Sequence, residues 1–222
     1  MIDVLAVNVG VPQVLAEHDG QRTYSAIAKS TVAKGTVLWL STGNLAGDAQ
    51  ADLSVHGGAD KALYTYPAEH LRWWAAELGE TFGAAPFGEN LSTMGVVEAD
   101  VCIGGIWRWG EAVIQISQPR WPCFKLALHR HRADIQKRMR SAGRTGWYHR
   151  VLEPGEVVVG EPIEILARDP LGLTIADAHA AMSDRHLTNR SLVEALADHP
   201  DLAAQWREPL RDRLRTVGTD LA

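Results

Sequence analysis

Residues 101–117 read VCIGGIWRWGEAVIQIS. Apolar, β-branched and aromatic residues stand there in three short runs, Val101–Ile103, Ile106–Trp109 and Ala112–Ser117, separated by Gly104, Gly105 and Gly110. Branched and aromatic side chains suit a pleated, half-buried surface, and glycine suits the turns, so each run reads as a strand. The same texture recurs outward in both directions. Ile2–Val9 is closed by Gly10 and Pro12, and Thr36–Leu40 and Ala62–Tyr66 follow it. Downstream stand Trp147–Leu152, Val157–Val159 and Ile163–Leu166. Two helices interrupt the series. Pro67 suits a first helical turn, Leu71, Trp74 and Leu78 recur at helical spacing, and Gly79 can end the helix. Ala133–Ser141 forms the second, with Ile135, Met139 and Ala142 on one side. Many short strands with few helices predict a mainly β fold, a closed or nearly closed β-barrel.

The texture changes after Arg168-Asp169-Pro170. Ala and Leu dominate and β-branched residues thin out. Helices are expected from Thr174, from a cap at Asn189 or Ser191 through Ala197, and over Asp201–Val217. Two domains are therefore expected, a barrel over 1–167 and a small three-helix unit over 168–222. The helical unit holds seven Arg and nine acids but neither Lys nor Cys. A cap, a partner surface or a homodimer contact is open to it.

Composition excludes several classes. An apolar share of 46% and a charged share of 22% are globular values. Apolar runs fall far short of the roughly 20 residues that a membrane helix needs. The amino terminus, MIDVLAVNVGVPQ, has neither a positively charged start nor a small-residue cleavage site, so a cytoplasmic location is expected. Two cysteines, Cys102 and Cys123, are too few for a disulfide scaffold or a Cys-built zinc site. A net charge of −5 argues against a nucleic-acid binder. Between Arg120 and Arg150, however, nine Lys and Arg face one acid, Asp134, which leaves −13 on the rest of the chain. Such an island fits a small anion or a helix with a solvated basic face.

Three clusters carry chemistry. In the first, Gly47–Lys61, which begins Gly47-Asp48 and ends His56-Gly57-Gly58-Ala59-Asp60-Lys61, paired glycines permit a backbone nest for an anion and Lys61 can add charge; a tight turn with a solvated Asp-Lys pair is the alternative. In the second, Phe87-Gly88-Glu89-Asn90-Leu91, a close backbone approach lies beside donor and acceptor groups that suit a heterocycle edge, or a surface turn. The third is Ser117-Gln118-Pro119-Arg120-Trp121-Pro122-Cys123-Phe124-Lys125. Two prolines fix an extended segment, and Arg120 and Lys125 flank a thiol whose thiolate they favour. A thiolate is a nucleophile or a soft-metal ligand. A phosphatase loop needs arginine six positions after the cysteine, where His129 stands, and none of the nine His residues is marked as a protease partner. A single-thiolate metal site remains, with further ligands from outside the protein. Cys102, in its Val-Cys-Ile strand, reads as structural.

Together these three clusters, in this order and spacing, resemble the motifs of the MOSC-domain family (molybdenum cofactor sulfurase C-terminal domain), and within it the YiiM group, associated with resistance to 6-N-hydroxylaminopurine. The resemblance covers essentially the whole chain, helical tail included. It implies a β-barrel holding a molybdopterin-type molybdenum cofactor, with Cys123 as the protein ligand to molybdenum and the cofactor's dithiolene supplying two more sulfurs. It assigns Arg120 to the cofactor's phosphate or dithiolene edge. His56, Gly57, Gly58 and Lys61 become a cofactor-contacting loop, Glu89 and Asn90 contact the pterin, and Gly88, Ser117 and Lys125 complete the binding motifs. The implied activity is reduction of N-hydroxylated compounds, such as N-hydroxylated purine bases, with loss of water. The chain has no flavin, nicotinamide or Fe–S fingerprint, so a separate flavoprotein reductase drawing on NAD(P)H is the expected partner. A molybdenum-cofactor or sulfur carrier without turnover is the alternative.

Overall fold

The computed structural model describes residues 1–51 and 57–219. In chain order the strands are β1 (Asp3–Val9), β2 (Gln13–His18), β3 (Gln21–Ser25), β4 (Ser30–Thr31), β5 (Val37–Leu40), β6 (Leu63–Pro67), β7 (Leu91–Met94), β8 (Ile106–Trp109), β9 (Ala112–Pro119), β10 (Trp147–Glu153), β11 (Gly155–Val158) and β12 (Glu164–Ala167). Eight of them form one sheet in the order β12-β8-β9-β10-β6-β7-β1-β4. Its pairings are antiparallel except β6 with β7, which is parallel and makes the sheet mixed. Ile2 and Ile163 exchange backbone hydrogen bonds of 2.8 and 2.9 Å. That bridge ties the start of β1 to the residue before β12, so the sheet curls back on itself as a half-barrel. Two ribbons, β5 with β11 and β2 with β3, flank it.

The helices are α1 (Glu69–Leu78), α2 (Phe124–Arg130), α3 (Ile135–Ala142), α4 (Ile175–Ser183), α5 (Arg190–Ala197) and α6 (Ala204–Thr219). Among the described residues these six hold nearly as many positions as the strands, so the expected mainly β class is corrected to a mixed one. The sequence reading omitted α2. Pro67 closes β6 and does not open α1, which begins two residues later. The run Val101–Ile103 is no ladder strand: Cys102 makes one bridge to Thr174, and the Ile103 and Ile175 amides bond to Leu173 and Val101 carbonyls at 2.8 Å. Its partner is the segment entering α4, where Thr174 and Asp177 form a reciprocal cap with bonds of 3.0 and 2.9 Å.

Every residue of β9 is buried. One reason is that α4 packs against it. The tail helices join the sheet's own core: Val193, Leu196, Trp206 and Leu210 belong to the same apolar cluster as Ile2, Leu63, Ile114 and Trp147. Burying side chains of this size stabilises by about 1.5–3 kcal/mol each. A second cluster, with Tyr64, Tyr66, Trp74, Phe87, Leu126, Ile135 and Met139, lies between β6 and helices α1 to α3. The site is built on it.

Candidate functional site

Strand β9 delivers the chain to Arg120, whose backbone N–H donates to the Gly146 carbonyl at 3.1 Å. The Arg120 side chain is 6% exposed. Its Nη1 donates to the Tyr64 hydroxyl at 3.2 Å, its guanidinium lies 4.8 Å from the Tyr64 ring centroid, and Met139 Sδ is 3.8 Å away. Burial opposes its charge, but the electrostatics of Tyr64, Tyr148 and Cys123 outweigh burial and raise its pKa, so it is a permanent buried cation. The Tyr64 hydroxyl donates its own hydrogen bond to the Thr145 carbonyl at 2.8 Å, and burial pushes its pKa far up, so it remains a phenol.

Pro122 is buried, and Cys123 follows it in extended conformation as the residue preceding α2. The Cys123 thiol is half-buried and not part of a disulfide. Lys61 and Arg120 both feel its charge. Lys61 sits at the end of a 3-10 turn, Ala59–Lys61, that begins after Gly58 at φ 100°. Burial lowers the Lys61 pKa, while Asp60 and Cys123 act against that shift. The turn is fixed from below: Ser117 Oγ donates to the Asp60 carbonyl at 2.6 Å, and Arg150 Nε donates to the Asp60 carboxylate at 2.7 Å.

These groups open on one cleft of about 710 Å³, its mouth included. Of the residues expected from sequence, Lys61, Gly88, Asn90, Arg120, Cys123 and Lys125 line it. Gly88 is required there: its φ is +79°, and a Cβ would lie 2.5 Å from Ile27 Cγ1 and 3.2 Å from Ile27 O. Asn90 is a bracket. Its Nδ2 donates to Asp48 Oδ2 at 2.9 Å and to Asn8 O at 3.2 Å, and its Oδ1 accepts the Tyr64 N–H at 3.1 Å. Both of its amide protons are thereby committed.

Other expected residues stand off the cleft wall. Glu89 is fully buried, its carboxylate accepting from Phe87 N at 3.0 Å and Ser92 Oγ at 3.1 Å, and burial raises its pKa. Ser117 supports the turn that carries Lys61. Gly57 is half-buried and Gly58 exposed, and neither is among the lining residues. His56 lies outside the described residues. Sequence reasoning gave no role to Lys29, Tyr64 and Tyr148, nor to Asp48 and Trp121, which stand inside the first and third clusters; all five line the cleft. Lys29 and Asp48 are ion-paired with almost no exposure, and Asp48 also accepts the Gly10 N–H at 2.8 Å. Only the strand pairing, which sets Tyr148 opposite Tyr64, reveals the tyrosine wall.

The lining therefore holds one thiol, four cations and one acid already neutralised by Lys29. No cluster of three His, Cys, Asp or Glu able to hold a metal exists among the described residues. A soft metal carried by an anionic dithiolene with a phosphate fits this donor set: Cys123 offers the thiolate, and Arg120, Lys61 and Lys125 offer the countercharge.

The MOSC domain family model matches residues 52–164. The chain is 48% identical over 165 residues to protein YiiM of Escherichia coli (strain K12), covering 73% of this chain and 72% of that one. It is 34% identical over 164 residues, 72% of its length, to a protein named reductase from Gibberella moniliformis, of which the match covers 29%. The crystal structure of YiiM from Geobacillus stearothermophilus superposes with a TM-score of 0.80 at 32% identity, covering 96% of this chain and all of that one.

Proposed function

The chain belongs to the MOSC domain family, a molybdenum-cofactor-binding family, and from that premise we propose that it is a molybdenum-cofactor-dependent reductase of N-hydroxylated compounds such as N-hydroxylated purine bases. One observation carries the reading: a half-buried Cys123 thiol at a cleft whose wall brings Lys61, Arg120 and Lys125 together. When bound, the cofactor would supply two-electron chemistry at a metal ligated by Cys123. An N–O bond is cleaved, two electrons and two protons enter, and the products are the amine and water. The electrons are assigned to a separate flavoprotein reductase using NAD(P)H.

The chain's own residues bind and orient. Arg120 holds a buried positive charge against the cofactor's phosphate or dithiolene edge. Lys61, on its braced turn, neutralises charge next to the sulfur. Lys125 adds a cation one residue into α2. Asn90 and Asp48 keep the floor rigid by tying β1, β6 and the Gly10 backbone together. Tyr64 holds the Arg120 guanidinium in place and remains protonated.

Elemental analysis of wild type and Cys123→Ser, purified from a host that makes the cofactor, tests the reading. Near-stoichiometric molybdenum in wild type, its loss in the variant, and conversion of an N-hydroxylated base to its amine with a flavoprotein donor are the expected results. Molybdenum without any conversion points to the carrier function. Wild-type molybdenum content in Cys123→Ser overturns the ligand assignment.

A further inference from the structure

A second recess, about 1230 Å³ with its mouth, also opens on Cys123. One wall is Trp121 and Tyr148, and the other comes from the C-terminal helices, with Met182, Arg185 and Trp206. Trp121 and Trp206 meet edge to face, their centroids 5.8 Å apart at 79°. Aromatic walls of this kind take a flat ring system. An adjoining hollow shares Trp121, Met182 and Arg185 with this recess and adds Arg140 and His179.

The charge here is one-sided. Neither wall includes an Asp or Glu among the described residues, although the chain has 27 acids and 22 Lys and Arg. Two of the cations are already engaged. Arg213 donates to the carbonyls of Ala181 and Asp184 at 2.8 Å and of Met182 at 3.1 Å, closing the end of α4. Lys61 serves the cofactor cleft. Arg140 and Arg185 remain, and neither forms an ion pair with a described residue; Arg140 lies 5.8 Å over the Trp121 ring. His179, its ring tilted 36° to Trp121 at 5.7 Å, has its pKa lowered by burial and is a neutral wall. Two arginines without an acidic partner beside an aromatic recess match an anionic oxygen cluster, which guanidinium groups bind with fork geometry.

We propose that the substrate is a flat N-hydroxylated aromatic that carries a phosphate monoester, with its ring against Trp121 and Trp206 beside Cys123 and its phosphate on Arg140 and Arg185. The inference rests on the reductase reading and narrows its substrate from free bases to nucleotides. The N–O bond alone breaks, the two electrons come from the flavoprotein donor, the oxygen leaves as water, and the phosphate ester is unchanged.

The test compares adenosine 5′-monophosphate with adenine by isothermal titration against the cofactor-loaded protein, in wild type and in the Arg140→Ala/Arg185→Ala double variant. Wild type is expected to prefer the nucleotide by about tenfold or more, and the double variant by less than about twofold. Equal affinities in wild type, or an undiminished preference in the double variant, overturn the proposal. So does inorganic phosphate that binds wild type as tightly as the nucleotide, since the arginines would then read a free anion. Neither titrant carries an N–O bond, so the comparison stays readable even if no N-hydroxylated compound is ever consumed. That second failure would sink the reductase reading by itself.

Discussion

His149 illustrates what burial does to one titratable side chain. It lies on β10 with no exposure, its Nε2 2.9 Å from Thr65 Oγ1 and its ring 5.3 Å from Trp107. Burial, with no opposing charge, pushes its pKa down to about 3. In the unfolded chain it titrates near its ordinary value, so between about pH 6.5 and pH 3 the unfolded state binds more protons. Stability from this group is therefore complete above that window and falls as the pH drops through it, by at most about 1.4 kcal/mol per pH unit. Urea midpoints measured from pH 7 to pH 4 should fall more steeply in wild type than in His149→Gln. Equal slopes would assign the acid limit to other groups. Placement at the residue scale is legible where neighbours in sequence share a wall, as Arg120 and Cys123 do at the cleft. Placement is not legible at Glu89, because Gly88 and Asn90 reach the cleft while the carboxylate between them turns back to the Phe87 amide and Ser92. Lys29, Tyr64 and Tyr148 arrive from separate strands and connections, and no local pattern announces them.

At the scale of elements, two of the three runs between 101 and 117 are strands: glycine marks the breaks, and β8 and β9 fall where the runs Ile106–Trp109 and Ala112–Ser117 stand, whereas Val101–Ile103 pairs only with the segment entering α4. The β2–β3 hairpin was missed although its signal is present: Asp19-Gly20 takes φ of +50° and +76°, the paired left-handed conformation of a tight hairpin turn. Helix α2 was not legible, since seven residues with a single buried apolar position, Leu126, carry little periodicity. Gly146 shows how closely the elements meet around the site. It precedes β10 at φ +66°, and a Cβ there would lie 2.3 Å from Thr65 O and about 3 Å from both Tyr64 and Tyr66. Its carbonyl receives the Arg120 N–H, and its own N–H donates to Glu98 Oε1 at 2.8 Å. Alanine at this position must push β10 off β6 and displace Arg120 with it. Gly146→Ala is expected to lose about 2–4 kcal/mol of stability in denaturant titration and to retain less cofactor at equal folded fraction. A variant with wild-type stability and cofactor content would mean that the strand pairing yields without cost.

At the scale of the whole molecule, the break in composition near residue 168 is real, yet the core does not break with it. Trp206 is 3% exposed and shares one apolar cluster with the sheet residues Ile114 and Trp147. Hydrogen bonds cross the same boundary: the backbone amide of Ala203 donates to Ser117 O at 3.0 Å and that of Ile175 to Val101 O at 2.8 Å, and the side chain of Arg150 donates through Nη2 to Asp201 O at 2.9 Å. Sequence texture reports which local structure a stretch prefers, whereas cooperativity follows from which apolar surfaces are buried together. Removing the Trp206 indole opens a cavity against both the helices and the recess beside Cys123, a loss of about 3–5 kcal/mol. If the helices and the half-barrel fold as one unit, Trp206→Ala lowers a single calorimetric transition and leaves it single. Two separated transitions, with only the smaller one shifted, would instead make 168–222 an independent domain whose contact with the site is docking alone. The calorimetric ratio of van't Hoff to total enthalpy decides between these, because one shared core requires a value near unity in wild type and variant alike.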